Sequence, residues 1–366
     1  KIMKKLSIYF LLFLGTNVFA QESITFQKPS SEILALADFQ RPPSVSLSPD
    51  KSWVLLSYRP TYKTLEELGQ EEIRLAGLRI NAKTRISSTE NYFQNIRLRS
   101  AQDGKEYDIA GLPANALISN ISFSLDSKYI AFTHTNDSGV SLWLLDIAAK
   151  SAKQLTDYDL NAVLNDPYQW LRNSQGFLIS KSPANRPALI DHSKDLPTGP
   201  VVSTSEGKVS QLRTYQDLLK NPQDEQDFVS LATAELYWID LQGQQTKFLS
   251  ADLYTQANVS PDGKYVLVSK LKKPFSYVVA YNSFPQEANV YAIDGSLIKK
   301  VNETPLMEIM PKGFSSTRPG KRMLTWRADK PNTLFFAQAL DGGDANKPVD
   351  FRDELFTWEY PFSAEP

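Results

Sequence analysis

The residue types that most often carry enzyme chemistry are scarce in this chain. Its 366 residues include two histidines, His134 and His192, and no cysteine. A Ser-His-Asp triad needs a histidine base beside its nucleophile, and no G-x-S-x-G nucleophile elbow occurs in the sequence. We therefore expect no catalytic residue and no cofactor in this chain, and we expect both histidines to be surface or strand-end side chains.

Side chains that commonly bind metals are equally sparse. With no cysteine and two histidines, a metal site would have to consist mainly of carboxylates. No EF-hand spacing is present. The run Asp341-Gly342-Gly343-Asp344 places two carboxylates beside flexible backbone. It favours a turn between strands over a calcium site, because Asp and Gly are typical turn residues.

Two groups of side chains suit binding rather than catalysis. Arg74 and Arg79 are expected at the mouth of a helix predicted for the acidic run before them, and guanidinium groups recognise carboxylates with two parallel hydrogen bonds. Tyr277 and Tyr281 belong to an aromatic loop that could line a pocket. The structural alternative is that the arginines bridge neighbouring elements and the aromatic rings pack between sheets.

An internal repeat predicts the elements that would position these residues. Asp50, Asp126, Asn173, Asp262 and Asp329 each follow a small polar or turn residue and precede an apolar, strand-like run, at steps of 76, 47, 89 and 67 residues. Each copy predicts a tight turn inside a hairpin, and a second strand pair follows several copies. A four-stranded propeller blade takes about 40–50 residues. The repeat therefore predicts an all-β propeller over residues 45–362, with seven blades, or eight, and short helical insertions; a β-sandwich is the alternative.

Helices are predicted at three places. Residues 21–44 form a lead-in with a short helix over Ser30–Ala37. The acidic run from Leu65 to Ile73 and the segment from Thr214 to Lys220, which we expect Pro222 to end, are helix-prone insertions. We expect an exposed loop over Pro183–Ser210.

Charge and the N-terminal segment bear on partners and destination. The net charge of −1 gives no electrostatic case for binding nucleic acid. Lysines precede an apolar run from Leu6 to Leu14, which is typical of a secretory signal peptide over residues 1–20. We expect a periplasmic or secreted protein, free of the membrane after cleavage. We also expect the sequence to be a fragment that stops before a further domain.

Several long segments of this sequence resemble the propeller part of bacterial serine peptidases of the prolyl oligopeptidase family, in particular the secreted glutamyl endopeptidase and dipeptidyl-peptidase-like branch. The matching segments cover most of the chain after residue 20, and they begin at Arg41, Glu66, Thr214, Pro274 and Trp326.

The resemblance implies a non-catalytic propeller that restricts the access of peptides and forms part of a substrate cleft. It also implies that a C-terminal α/β-hydrolase domain of the same polypeptide carries the catalytic triad, so no triad residue can be assigned here. Arg74 and Arg79 would then contact an acidic side chain or a peptide carboxylate. The alternative is a free-standing periplasmic propeller that acts as a binding scaffold for proteins or peptides.

Overall fold

A computed structural model describes residues 28–191, 214–311, 313 and 315–366. The chain divides into two compact units, Lys1–Gln40 and Arg41–Pro366. In the first unit, the predicted lead-in helix is present as α1, Ser31–Ala37. Among the described residues, no helix is both long enough and apolar enough to span a membrane.

The second unit consists mainly of antiparallel sheets made from strands that follow one another in the chain. Sheet I contains β1 (Ser44–Leu47), β2 (Trp53–Tyr58), β5 (Asn95–Ser100) and β6 (Glu106–Asp108). A separate hairpin, β3 (Glu72–Leu75) and β4 (Leu78–Asn81), lies between β2 and β5 in the chain and follows the short helix α2 (Leu65–Leu68).

Sheets II to V repeat the same up-and-down arrangement. Sheet II contains β7 (Ile118–Phe123), β8 (Tyr129–Asn136), β9 (Gly139–Asp146) and β10 (Ser151–Gln154). Sheet III contains β11 (Tyr168–Trp170), β12 (Gly176–Lys181), β13 (Ala234–Asp240) and β14 (Gln245–Asp252), with helix α3 (Pro222–Ala232) between β12 and β13 in the chain. Sheet IV contains β15 (Tyr254–Val259), β16 (Tyr265–Leu271), β17 (Gln286–Ala292) and β18 (Leu297–Thr304). Sheet V contains β19 (Arg322–Trp326), β20 (Thr333–Ala339) and β21 (Asp353–Glu359).

The five predicted turns all join the first strand of a sheet to its second strand. In the three Ser-x-Asp copies, the serine hydroxyl donates a hydrogen bond to the aspartate, for example from Ser48 Oγ to Asp50 Oδ1 at 2.6 Å and from Ser260 Oγ to Asp262 Oδ1 at 2.6 Å. Backbone N–H groups then bind the same side chains, as from Trp53 to Ser48 Oγ at 3.0 Å. These bonds satisfy the turn locally, which explains why the sequence repeats it.

Consecutive turns are also linked to one another. The N–H of Asp50 donates to the hydroxyl of Ser127 in the next turn at 3.1 Å, and the N–H of Asp126 donates to Ser174 at 3.3 Å. The N–H of Asp262 similarly reaches the carbonyl of Pro331 at 3.0 Å. The first-to-second-strand turns therefore lie side by side along one face, which we call the turn face.

The hydrophobic core consists mainly of separate layers between successive sheets. Leu55 and Leu98 of sheet I pack with Phe132 of sheet II, and three further clusters join sheets II and III, III and IV, and IV and V. A β-sandwich would instead have one core between two sheets. Four-stranded antiparallel sheets with an apolar layer between each successive pair form a β-propeller, as predicted.

The blade count of seven is not confirmed, since the described residues form four four-stranded sheets and one three-stranded sheet with this arrangement. Among the described residues, the two longest repeat steps each contain the strands of one blade rather than two, together with a long connection between the second and third strands of a sheet. The helix predicted over Thr214–Lys220 is wrong. Pro222 begins α3 instead of ending a helix, because Asn221 accepts the N–H of Asp224 at 2.8 Å as an N-cap and proline is tolerated in the first turn.

Candidate functional site

The insertions of the second unit emerge from the opposite end of the sheets to the turn face. In an up-and-down sheet, connections from the second to the third strand lie at the other end from first-to-second-strand turns. The β3–β4 hairpin, the segment that contains α3, and the loop over residues 272–285 are all second-to-third-strand connections, in sheets I, III and IV. We call this end of the sheets the insertion face.

These three insertions share a hydrophobic core of their own, which we call the insertion layer. Leu75 and Ile80 of the hairpin pack in the same cluster as Phe228 of α3 and Phe275 and Phe284 of the loop. The Phe228 ring meets Phe275 and Phe284 edge-on, with centroids 5.4 and 6.1 Å apart. Segments from three blades are thus held together as one structure.

The tip of the hairpin is hydrogen-bonded to both of the other insertions. The N–H of Gly77 donates to the carbonyl of Asp217 at 2.8 Å, and the N–H of Tyr281 donates to the carbonyl of Ala76 at 2.8 Å. Gly77 has φ +85°, and a Cβ atom there would lie 2.6 Å from Cβ of Ala280. Glycine is required at this position both by the left-handed conformation and by the lack of space.

Arg74 and Arg79 lie opposite each other in the β3–β4 hairpin, not at the mouth of a helix. Helix α2 ends at Leu68, so the acidic run continues as strand rather than helix. Arg79 Nε donates to Asp217 Oδ2 at 2.8 Å, and this carboxylate raises the pKa of Arg79 above its ordinary value. Arg74 Nε donates to Glu72 at 2.7 Å, and its Nη1 lies 3.8 Å from Asp217. Both guanidinium groups are therefore engaged by carboxylates of the chain.

The two tyrosines lie in the same loop but have different surroundings. Tyr277 donates its hydroxyl proton to Glu225 of α3 at 2.8 Å, and that carboxylate raises the pKa of Tyr277. Tyr281 opens a one-turn 3₁₀ helix, Tyr281–Ser283, and lines a polar cavity of about 340 Å³ at the end of sheet IV. The structure thus brings all four predicted residues to the insertion layer; their role in binding substrate stays a prediction.

A second cavity on the insertion face, of about 630 Å³, is lined by His134, Glu66 and Asp137 among others. His134 is buried at the end of β8 rather than at the surface, and its Nδ1 lies 3.0 Å from the Tyr158 hydroxyl. Burial lowers the pKa of His134. His192 lies outside the described residues, as do the predicted signal peptide and most of the predicted loop.

Asp341 belongs to the connection between β20 and β21 and is a turn residue, as predicted. Its carboxylate accepts the N–H of Gly343 at 2.7 Å and Nε of Arg352 at 2.8 Å. In the parts of the chain that the structure describes, no group of His, Asp and Glu side chains is arranged to hold a metal ion.

Sequence reasoning missed two residues of this face. Asp217 joins both arginines, but it stands 138 positions beyond Arg79 in a segment without a repeat. Arg318 lines the same polar cavity as Tyr281, and nothing around it in the sequence distinguishes it from a surface arginine. The dipeptide Asn221-Pro222, an N-cap residue followed by proline, is the sequence signal that could have predicted the start of α3.

The comparison with curated proteins finds relatives that match nearly the whole chain. A chloroplastic protein of rice (Oryza sativa subsp. japonica), named probable glutamyl endopeptidase, is 32% identical over 355 residues, which cover 93% of this chain and 37% of the rice protein. The protein of the same name from Arabidopsis thaliana is 33% identical and covers 93% of this chain and 36% of its own length. The chain thus spans little more than a third of these relatives. No family model matches it.

Among solved structures, acylaminoacyl peptidase from Pyrococcus horikoshii has a TM-score of 0.41 at 13% identity and covers 88% of this chain and 39% of its own. Prolyl oligopeptidase B from Galerina marginata has a TM-score of 0.40 at 12% identity, and the match covers 86% of this chain and 34% of the Galerina chain. These scores are too low to bear on function, and the propeller assignment depends on the sheets and their cores. The sequence relatives show more than the solved structures do: over 93% of its length, this β-propeller chain is similar to two proteins named probable glutamyl endopeptidase.

Proposed function

We propose that this chain is the propeller of a secreted serine peptidase, of the prolyl oligopeptidase type, and that its insertion face borders the path of peptide substrates. The observation that carries the proposal is the homology with glutamyl endopeptidase-like proteins over 93% of the chain. The catalytic triad would belong to an α/β-hydrolase domain of the same polypeptide, as the resemblance to the prolyl oligopeptidase family implies.

The insertion layer supports a role in restricting access. Propeller blades need only short connections, yet three blades extend theirs and join them in a common apolar core. A layer fixed by buried aromatic rings can limit the size of the peptides that pass it, whereas independent loops would move aside for larger ones. Arg74 and Arg79 remain candidates for contacting an acidic side chain, although Asp217 competes for both.

The proposal extends to location and partners. The segment over residues 1–20 would direct export to a bacterial periplasm or the exterior, and the partners would be peptides and the hydrolase domain. No specific observation favours the alternative of a free-standing binding scaffold.

The test compares substrates of two sizes in the full-length polypeptide. We expect short glutamate-containing peptides to be cleaved much faster than long unfolded proteins. Phe228→Ala, which loosens the insertion layer, should raise cleavage of the long substrate relative to the short one. Phe336→Ala, a buried ring in sheet V outside this layer, is the matched control. An unchanged ratio in Phe228→Ala would contradict the gating role.

A further inference from the structure

The cavity beside Tyr281 has a floor made by one row of residues of sheet IV. Gln256, Ser269, Ala288 and Asn302 are successive cross-strand partners, so they form one row across all four strands of sheet IV. Further along the strands, Val290 and Val301 pack in the apolar layer between sheets IV and V. Ala288 also belongs to that apolar layer, whereas Gln256, Ser269 and Asn302 place amide and hydroxyl groups along the cavity.

One charged side chain faces this polar floor. Arg318, in the connection that precedes β19, lines the cavity, and no carboxylate is among the described residues that line it. Unlike Arg74, Arg79 and Arg322, Arg318 forms no ion pair with any carboxylate in the described part of the chain. Burial, with a smaller contribution from the nearby Arg322, lowers the pKa of Arg318. A half-buried guanidinium without an ion pair keeps charged N–H donors available for an anion.

The surroundings add the other groups that a carboxylate needs. Asn302, Asn282 and Tyr281 line the same cavity of about 340 Å³ and carry neutral amide and hydroxyl donors, of which Nδ2 of Asn302 lies 3.4 Å from the Thr304 hydroxyl. Small-ligand pockets occupy about 300–1,000 Å³, so there is room for a side chain or a chain terminus. Guanidinium with neutral amide donors is the donor set that binds a carboxylate with charge-assisted hydrogen bonds.

We propose that the cavity between sheet IV and Arg318 is a binding site for a carboxylate, with Arg318 as its cationic anchor. Two sources carry this group in peptides, an acidic side chain and the C-terminal carboxylate. The proposal goes beyond the peptidase role and does not depend on it, because binding can be measured without cleavage.

The test titrates the full chain with three probes by isothermal calorimetry. N-acetylglutamate N-methylamide carries a side-chain carboxylate, N-acetylalanine a terminal carboxylate, and N-acetylglutamine N-methylamide neither. We expect saturable binding of at least one carboxylate probe and none of the neutral probe. Which of the two carboxylate probes binds more tightly identifies the source.

Variants locate the site. Arg318→Gln should weaken binding about tenfold or more, because it removes a charge-assisted contact. Arg327→Gln, the same charge change in the turn between β19 and β20 on the opposite face, should leave it unchanged. If Arg318→Gln does not fold, Asn302→Asp, which puts a negative charge into the floor, should abolish binding. Equal binding of the neutral probe, no binding of either carboxylate, or full affinity in Arg318→Gln or Asn302→Asp would overturn the proposal.

Discussion

Replacing Phe228 by alanine should release helix α3 from the insertion layer. The side chain is fully buried and meets two further rings edge-on. Truncating a buried phenylalanine costs about 3–5 kcal/mol. Helix α3 has 11 residues, and isolated helices shorter than about 12–15 residues are marginal in water. The helix therefore depends on this packing, and most of the loss should appear as local opening.

Hydrogen exchange of the backbone amides measures this opening directly. Since about 1.4 kcal/mol corresponds to a tenfold change, amides of α3 should exchange at least about a hundredfold faster in Phe228→Ala. The amides of β8 and β9, in sheet II, should keep their protection. Phe336→Ala should produce the opposite pattern: the amides of sheet V should exchange faster, and the exchange of the α3 amides should not change. Unchanged exchange in α3 would refute the idea that the insertions form one cooperative layer.

Two further predictions concern the turn face and the hairpin tip. Hydrogen bonds from the hydroxyls of Ser48 and Ser52 lower the folded-state pKa of Asp50 below its ordinary value of 3.8, so the stabilising contribution of Asp50 is present above that value and disappears as the pH falls. Between pH about 5 and about 3, the melting temperature should therefore decline less steeply for Asp50→Asn than for the wild type. Parallel curves of melting temperature against pH would contradict this. Gly77→Ala should lower the melting temperature more than Gly320→Ala does. Both positions have φ near +85°, but of the two only Gly320 has open space for a Cβ atom. Equal decreases in melting temperature would show that the contact with Ala280 has no energetic cost.

The sheets were predictable because their signal is local. Each Ser-x-Asp turn is satisfied by hydrogen bonds within about five residues, so its sequence is visible without knowledge of the fold. The strand pairs that follow, such as β9 with β10, were found for the same reason. The blade count is not confirmed, because the insertions take residues that an average blade of about 40–50 residues would assign to further blades.

The candidate site was only partly predictable, because its contacts are distant in sequence. Tyr281 was identified from a cluster of aromatic residues, but Arg318 reaches the same cavity from the connection between two blades. The arginines of the hairpin were noticed as a pair, yet Asp217, which engages both, carries no pattern of its own. Local periodicity predicts strands and turns; it does not predict which connections meet.

The central claim is that the insertion face, and not the turn face, meets the substrate. The printed sequence contains no cysteine, so single cysteines can be placed at exposed positions at the two ends of sheet IV, with Asn282→Cys on the insertion face and Lys264→Cys on the turn face. After labelling with a bulky maleimide, peptide cleavage by the full-length polypeptide should fall strongly for Asn282→Cys and stay unchanged for Lys264→Cys. Equal activity of the two labelled variants, or inhibition from the turn face alone, would contradict the account.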